Sequence, residues 1–300
     1  MLGGSQSALR RKEVKRRIDF PQDVSEVLGI DCVELRRKYK DCHTEVCNDA
    51  ISASPLGEWR CDGLSLAPLA TRANNEIVSL QEWYNEEGTH HKPKIILILE
   101  SPHKDEYRPR CDGCSKGFKC GVYASPAPAR GDTGRNIKQM LPKLFKKNFE
   151  NYHVAFMNMI QYQCSLGMPL RGHPDNQKRK NKIVNRLFLD HRENYGYFRE
   201  FISRLDSVYE PKTDVVVICT TGGSKVRDRI FKEVKNALNT ENIAMQYVLS
   251  ANHPSYWNSE PSRHKLLIKM PSNAGAKIHS ATEFTLGNAD KLYDALFGRL

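Results

Sequence analysis

Five groups of residues have the types and spacing to do chemistry. Glu100-Ser101-Pro102-His103-Lys104-Asp105 offers a carboxylate, a hydroxyl and an imidazole directly after an apolar run. Such groups activate water and meet developing charge, although the same residues also read as a proline turn capped by Ser101 or Asp105. Gly121-Val122-Tyr123-Ala124-Ser125-Pro126-Ala127-Pro128 sets an aromatic in a small-residue loop, where Tyr123 stacks on a base or serves as plain core. Asp132-Thr133-Gly134-Arg135-Asn136-Ile137 follows, and Asp132 or Thr133 is placed to cap a helix whose N-terminus faces phosphate. Asn158 closes Val154-Ala155-Phe156-Met157, where its amide reads a donor and an acceptor on a base edge or simply closes a turn. Ala251-Asn252-His253-Pro254-Ser255-Tyr256-Trp257 puts an imidazole on a loop beside two aromatics.

The elements that must position these groups are short apolar runs. Ile95 to Leu99, His153 to Met157, Asp214 to Cys219 and Met245 to Leu249 read as buried parallel strands. Helical patterns lie between them at about 134–148, 181–206 and 223–238. Alternating strands and helices predict an α/β domain whose ligands bind beyond the carboxyl ends of the strands, which is where the groups above fall. We expect an N-terminal annex over residues 1–92 and a catalytic domain over 93–300. The annex opens on a basic arm containing Arg10, Arg11, Lys12, Lys15, Arg16 and Arg17, which lies along a phosphate backbone or is a flexible charged tail. It continues irregularly, with one amphipathic helix around Asn75 to Asn85 turning Ile77, Leu80 and Tyr84 to one side.

A net charge of +11 and a pI near 9.2 attract a polyanion, and nucleic acid is the obvious one. Ile95 to Leu99, the longest purely apolar run, is too short to span a bilayer, and the basic N-terminus leads into no apolar signal core. A soluble, cytoplasmic, monomeric protein with no membrane partner is the expectation. Nine cysteines, an odd number, argue against a full disulfide framework and for reduced thiols or a metal.

Taken together and in this order, the groups resemble the uracil-DNA glycosylase superfamily over residues 94 to 258. Leu99-Glu100-Ser101-Pro102-His103 stands where that family has its water-activating turn. Gly121 to Ile137 resembles the base-stacking segment with its trailing prolines and Asn-Ile helix. Asn158 matches the base-reading asparagine, and His253-Pro254-Ser255-Tyr256-Trp257 resembles the loop that supplies the oxyanion-stabilising histidine and the wedge. The resemblance implies a three-layer α/β/α fold around a central four-stranded parallel sheet. It also implies a DNA glycosylase that flips a base and hydrolyses its N-glycosidic bond, leaving an abasic site in bacterial or phage DNA. Glu100, Ser101, His103 and His253 would then be catalytic, Tyr123 and Asn158 would bind the base, and Ser125, Ser255, Tyr256 and Trp257 would contact DNA. Lys178, Arg179, Lys180 and Lys182 add phosphate contacts or form a solvated charge run.

The match departs from the family at the water-activating turn. With Pro102 on the family proline, Ser101 replaces the usual aspartate and Glu100 the usual glutamine. Glu100 is the preferred carboxylate, ahead of His103 and Asp105. His103 falls where uracil-specific enzymes resemble one another in carrying a tyrosine that excludes pyrimidine 5-substituents. A modified pyrimidine, such as hydroxymethylated or glucosylated cytosine of phage DNA, is therefore expected beside uracil, with phage defence as the role.

Cys111-Asp112-Gly113-Cys114, followed by Cys120, has the spacing of a knuckle for tetrahedral thiolate ligation. Structural zinc suits it better than an iron-sulfur cluster, a fourth ligand would come from His103, Cys164 or the N-terminal group Cys32, Cys42, Cys47 and Cys61, and catalysis needs no cofactor. Unligated thiols are the alternative, and Cys219, on an apolar strand, belongs with them. Two other classes compete. One is a catalytically inactive DNA-binding module of the same fold. The other is a nucleotide hydrolase using Thr220-Thr221-Gly222-Gly223-Ser224, which lacks P-loop or dinucleotide spacing.

Overall fold

A computed structural model describes residues 18–39, 44–52, 93–107, 128–129, 132–145, 149, 151–166, 174–190, 195–210, 213–220, 228–234, 236, 248–257, 268–270 and 282–284. The chain is α/β, and among the described residues it is built on one mixed sheet of seven strands in the order β1-β3-β2-β4-β5-β6-β7. They are β1 (Ala50–Ser52), β2 (Lys94–Leu99), β3 (His153–Asn158), β4 (Val215–Thr220), β5 (Val248–Asn252), β6 (Ile268–Met270) and β7 (Thr282–Phe284).

Strands β3, β2, β4 and β5 pair in parallel. Every residue of β2, β3 and β4 is buried, as their unbroken apolar sequences require when helices cover both faces of a sheet. The sheet is wider than four strands because β1 joins β3 antiparallel at one edge, while β6 and β7 extend the other. The last parallel strand runs on past Leu249, where its apolar run ends, to Asn252, next to His253.

The helices are α1 (Phe20–Leu28), α2 (Cys32–Lys38), α3 (Asp132–Phe145), α4 (Pro174–Val184) and α5 (Tyr197–Val208), with a further helix over residues 228–234. The pattern at 181–206 is not one helix. Helix α4 runs into a π turn, Asn185–Leu189, and α5 starts after Gly196, whose φ of 87° no ordinary side chain adopts cheaply.

Residues expected in an annex contribute directly to the sheet and core. Helix α1 starts at the Asp19 cap, with Pro21 in its first turn, and stops at left-handed Gly29. It buries Phe20 against Tyr162 and Tyr197, while Asp23 accepts the Tyr197 hydroxyl at 2.8 Å. Helices α1, α4, its π turn and α5 pack together, whereas α3 packs on residues 254–256. At the amino ends of the strands, buried Lys94 meets Asp214 at 2.9 Å, and Asp214 also accepts the Lys94 and Glu210 backbone N–H groups.

Among the described residues no helix is long and apolar enough to cross a membrane. The basic arm, the helix expected around 75–85 and Cys111, Cys114 and Cys120 lie outside the described residues, and so do Thr221 to Ser224. Among the described residues no cluster of three or more His, Cys, Asp or Glu could hold a metal ion. Cys32, Cys47, Cys164 and Cys219 are not joined in disulfides, and Cys219 is buried in β4.

Candidate active site at the carboxyl ends of the strands

Glu100 leaves the carboxyl end of β2 and is 1% exposed. Its backbone carbonyl accepts the Ile160 N–H at 3.1 Å, and Leu99 accepts that of Met159, which carries the β2–β3 ladder past the strand ends. Its carboxylate is met by Lys180, whose Nζ lies 2.6 Å from Oε1. Lys180 comes from α4 and is itself buried, so it is no phosphate contact in this arrangement. Its neighbours differ: Lys178 is exposed beside Asp175, Lys182 is exposed, and Arg179 donates to the Tyr39 hydroxyl. The sequence carried a sign of this, because Lys180, Ile183, Val184 and Leu187 fall at helical spacing on the buried stripe.

The turn after Glu100 is held from below by Glu106, which is buried and accepts the His103 N–H at 3.0 Å and the Ala129 N–H at 2.9 Å. One carboxylate thereby ties the 3₁₀ turn Lys104–Tyr107 to the segment preceding α3. Ser101 is partly exposed, but its Oγ is buried with no hydrogen-bond partner among the described residues. The Asp105 side chain lies outside the described residues.

His253 follows β5. Asn136 of α3 donates from Nδ2 to the Pro254 carbonyl at 2.9 Å, and the Trp257 indole N–H donates to the Asn252 carbonyl at 2.7 Å, pinning the loop at both ends. The Ser255 backbone N–H donates to His253 Nδ1 at 3.3 Å, with the Ser255 Oγ 2.9 Å from the same atom. A backbone N–H can only donate, so Nδ1 carries the lone pair and the ring proton sits on Nε2. Burial of the ring pushes its pKa down from 6.5 to about 3, helped by the Lys180 ammonium and by His103 and opposed by Glu100. His253, Glu100, Lys180 and His103 therefore share one electrostatic site, built from β5, β2 and α4, in which His253 is an uncharged N–H donor.

Trp257 is only 1% exposed, so it is a core anchor of the loop and not a surface wedge. The loop turns it inward because its indole N–H finds a partner five residues back. Ser255 is exposed, whereas the Tyr256 side chain lies outside the described residues, as do Tyr123 and Ser125. Helix α3 begins at Asp132, which puts Asp132 and Thr133 inside its first turn.

Asn158 ends β3 fully buried. Its Nδ2 points to Cys47 Sγ at 3.6 Å, and its Oδ1 has no hydrogen-bond partner among the described residues. Its backbone N–H donates to Asp49, and its carbonyl accepts from Arg204, which also pairs with Asp49 and, at 2.6 Å, with Glu200. This network clamps β1 and α5 onto the end of β3. Asp49 and Arg204 are neighbours of the candidate site that the sequence pattern did not single out, and Cys47, considered in the sequence only as a metal ligand, is another.

Chemically, the strand ends present a buried carboxylate, an ammonium and a neutral imidazole N–H, which suits a reaction that separates charge between a cationic and an anionic fragment. Comparison with protein-family models, with curated proteins and with solved structures gives no match.

Proposed function

We propose that this protein is a DNA glycosylase with a three-layer, uracil-DNA-glycosylase-like fold. It flips a base out of DNA and hydrolyses its N-glycosidic bond. The observation that carries this reading is the placement of buried Glu100 at the carboxyl end of β2 and of an uncharged His253 at the carboxyl end of β5, at the same end of the sheet's parallel strands. As the C1′–N bond breaks, its electrons leave with the base and C1′ becomes cationic. The His253 Nε2–H donates to the departing anion, while the Glu100 carboxylate faces the sugar cation and orients the water that adds to it.

Asn158 reads the base edge once the pocket opens to it. Its buried, unpartnered Oδ1 is an acceptor that a base amino or imino group would satisfy. Tyr123 stacks on the base, and Ser125, Ser255 and Tyr256 face the DNA. The net charge of +11 draws the phosphate backbone. The substrate is a modified pyrimidine, of which hydroxymethylated or glucosylated cytosine of phage DNA is the leading case, or uracil. Phage defence by a cytoplasmic monomer follows from the first. A structural zinc on Cys111, Cys114 and Cys120 belongs to this proposal as a folding element, with no part in the chemistry.

One observation favours a second reading, a DNA-binding module without catalysis: the Glu100 carboxylate is engaged by Lys180 and a serine stands beside it. Both readings are tested by abasic-site formation, read by alkaline cleavage, on duplexes carrying uracil, hydroxymethylcytosine, glucosylated hydroxymethylcytosine or unmodified bases. Cleavage at one of these bases is the expected result and names the substrate. Salt-sensitive DNA binding without cleavage of any of them selects the binding module.

A further inference from the structure

We propose that Lys180 is a positioning residue of this site: its ammonium, buried against Glu100, fixes that carboxylate and keeps it from pairing with the His253 imidazole. Burying an ammonium costs several kcal/mol unless an anion compensates it. Helix α4 carries other basic residues that stay at the surface, and Lys180 alone among Lys178, Arg179, Lys180 and Lys182 is buried. Its partner Glu100 is equally buried, and the two meet at 2.6 Å at the mouth of the sheet, far along the strands from the structural pair Lys94 and Asp214.

The groups facing His253 come from three places: Lys180 from α4, Glu100 from the end of β2 and His103 from the turn that follows it. Glu100 is the one anion among them, and Lys180 already engages it. A protonated His253 would thus sit beside an ammonium with its natural counter-ion taken, and it would also lose the hydrogen bond that Nδ1 accepts from Ser255. Burial and Lys180 both hold the ring neutral, against the opposing pull of Glu100. Removing the Lys180 charge hands Glu100 to His253, and a carboxylate–imidazolium pair replaces the neutral donor. The value of that neutral donor for base departure rests on the glycosylase reading; the charge relationship does not.

The experiment follows the imidazole nitrogens by NMR in the full chain with labelled histidine, from about pH 5 to about pH 8, where an ordinary histidine titrates. The His253 signal among ten histidines is assigned by its loss in His253→Asn. In the wild type His253 stays neutral, with its proton on Nε2, across that range. In Lys180→Met its midpoint rises into the range, by about two pH units or more, and Lys180→Arg restores the neutral form. Where Lys180→Met does not fold, Lys180→Gln takes its place, and the same rise is expected there because the Glu100 carboxylate again loses its ammonium. A wild-type His253 that titrates normally, or a folded Lys180→Met or Lys180→Gln whose His253 does not move, overturns the proposal. If His253 moves as expected while the wild type forms no abasic site on any substrate, the glycosylase reading falls and the role of Lys180 stands.

Discussion

The Lys180 ammonium and the Glu100 carboxylate meet at 2.6 Å, both buried, where helix α4 crosses the carboxyl end of β2. Removing either charge leaves the other buried without the partner it meets here. Lys180→Met should therefore cost about 3–5 kcal/mol, and Glu100→Gln/Lys180→Met should recover most of it, since an uncharged pair of similar volume is nearly neutral. Urea denaturation of the two variants measures the difference, and equal losses would contradict the coupling.

Asn136 pins one end of the loop carrying His253. Asn136→Ala removes one of the two hydrogen bonds that the buried Pro254 carbonyl accepts, the Trp257 backbone N–H giving the other, which should lower stability by about 0.5–1.5 kcal/mol, and it loosens the loop that positions the imidazole. Chemical denaturation reads the first effect. The second is read as a lower turnover with unchanged DNA affinity.

Glu106 accepts two backbone N–H groups and holds the turn behind Glu100. Glu106→Ala leaves the His103 and Ala129 donors without their acceptor, a loss of about 2 kcal/mol or more. Glu106→Gln keeps one acceptor oxygen and should fall between the wild type and Glu106→Ala in a thermal melt.

Stability should also depend on pH through His253. The unfolded chain takes up a proton near pH 6.5, but the folded ring does so only near 3. Between these values the unfolded state binds more protons, so stability is lost as pH falls below about 6.5, and His253 contributes no slope above it. His253→Asn should flatten the dependence in denaturation experiments spanning that window.

The legible parts of the fold are those whose burial is complete. Ile95 to Leu99 and Val215 to Cys219 announce strands because both faces of the sheet are covered there. Of strands β1, β6 and β7 three residues each are described, and Ala50–Ser52, Ile268–Met270 and Thr282–Phe284 carry no sustained apolar run. Gly196 marks the break before α5, yet the apolar spacing runs on across it. Glu100, His103 and His253 stood out because strand ends are where an α/β site forms, and the structure brings them into one field. Lys180 did not, since a lysine inside a basic run shows its direction only through the helical phase it shares with Ile183 and Val184. Trp257 was misplaced for the converse reason: an aromatic beside a candidate loop looks exposed until its indole partner, the Asn252 carbonyl, is known.

The most direct measurement is the single-turnover rate of abasic-site formation, with enzyme in excess, for the wild type, Glu100→Gln and His253→Asn on the base the wild type cleaves fastest. The account predicts a loss of about 100-fold to 1,000-fold for His253→Asn, a comparable loss for Glu100→Gln, and DNA affinity close to wild type for both. Wild-type rates in either variant, or no abasic sites from the wild type on any base, would contradict it.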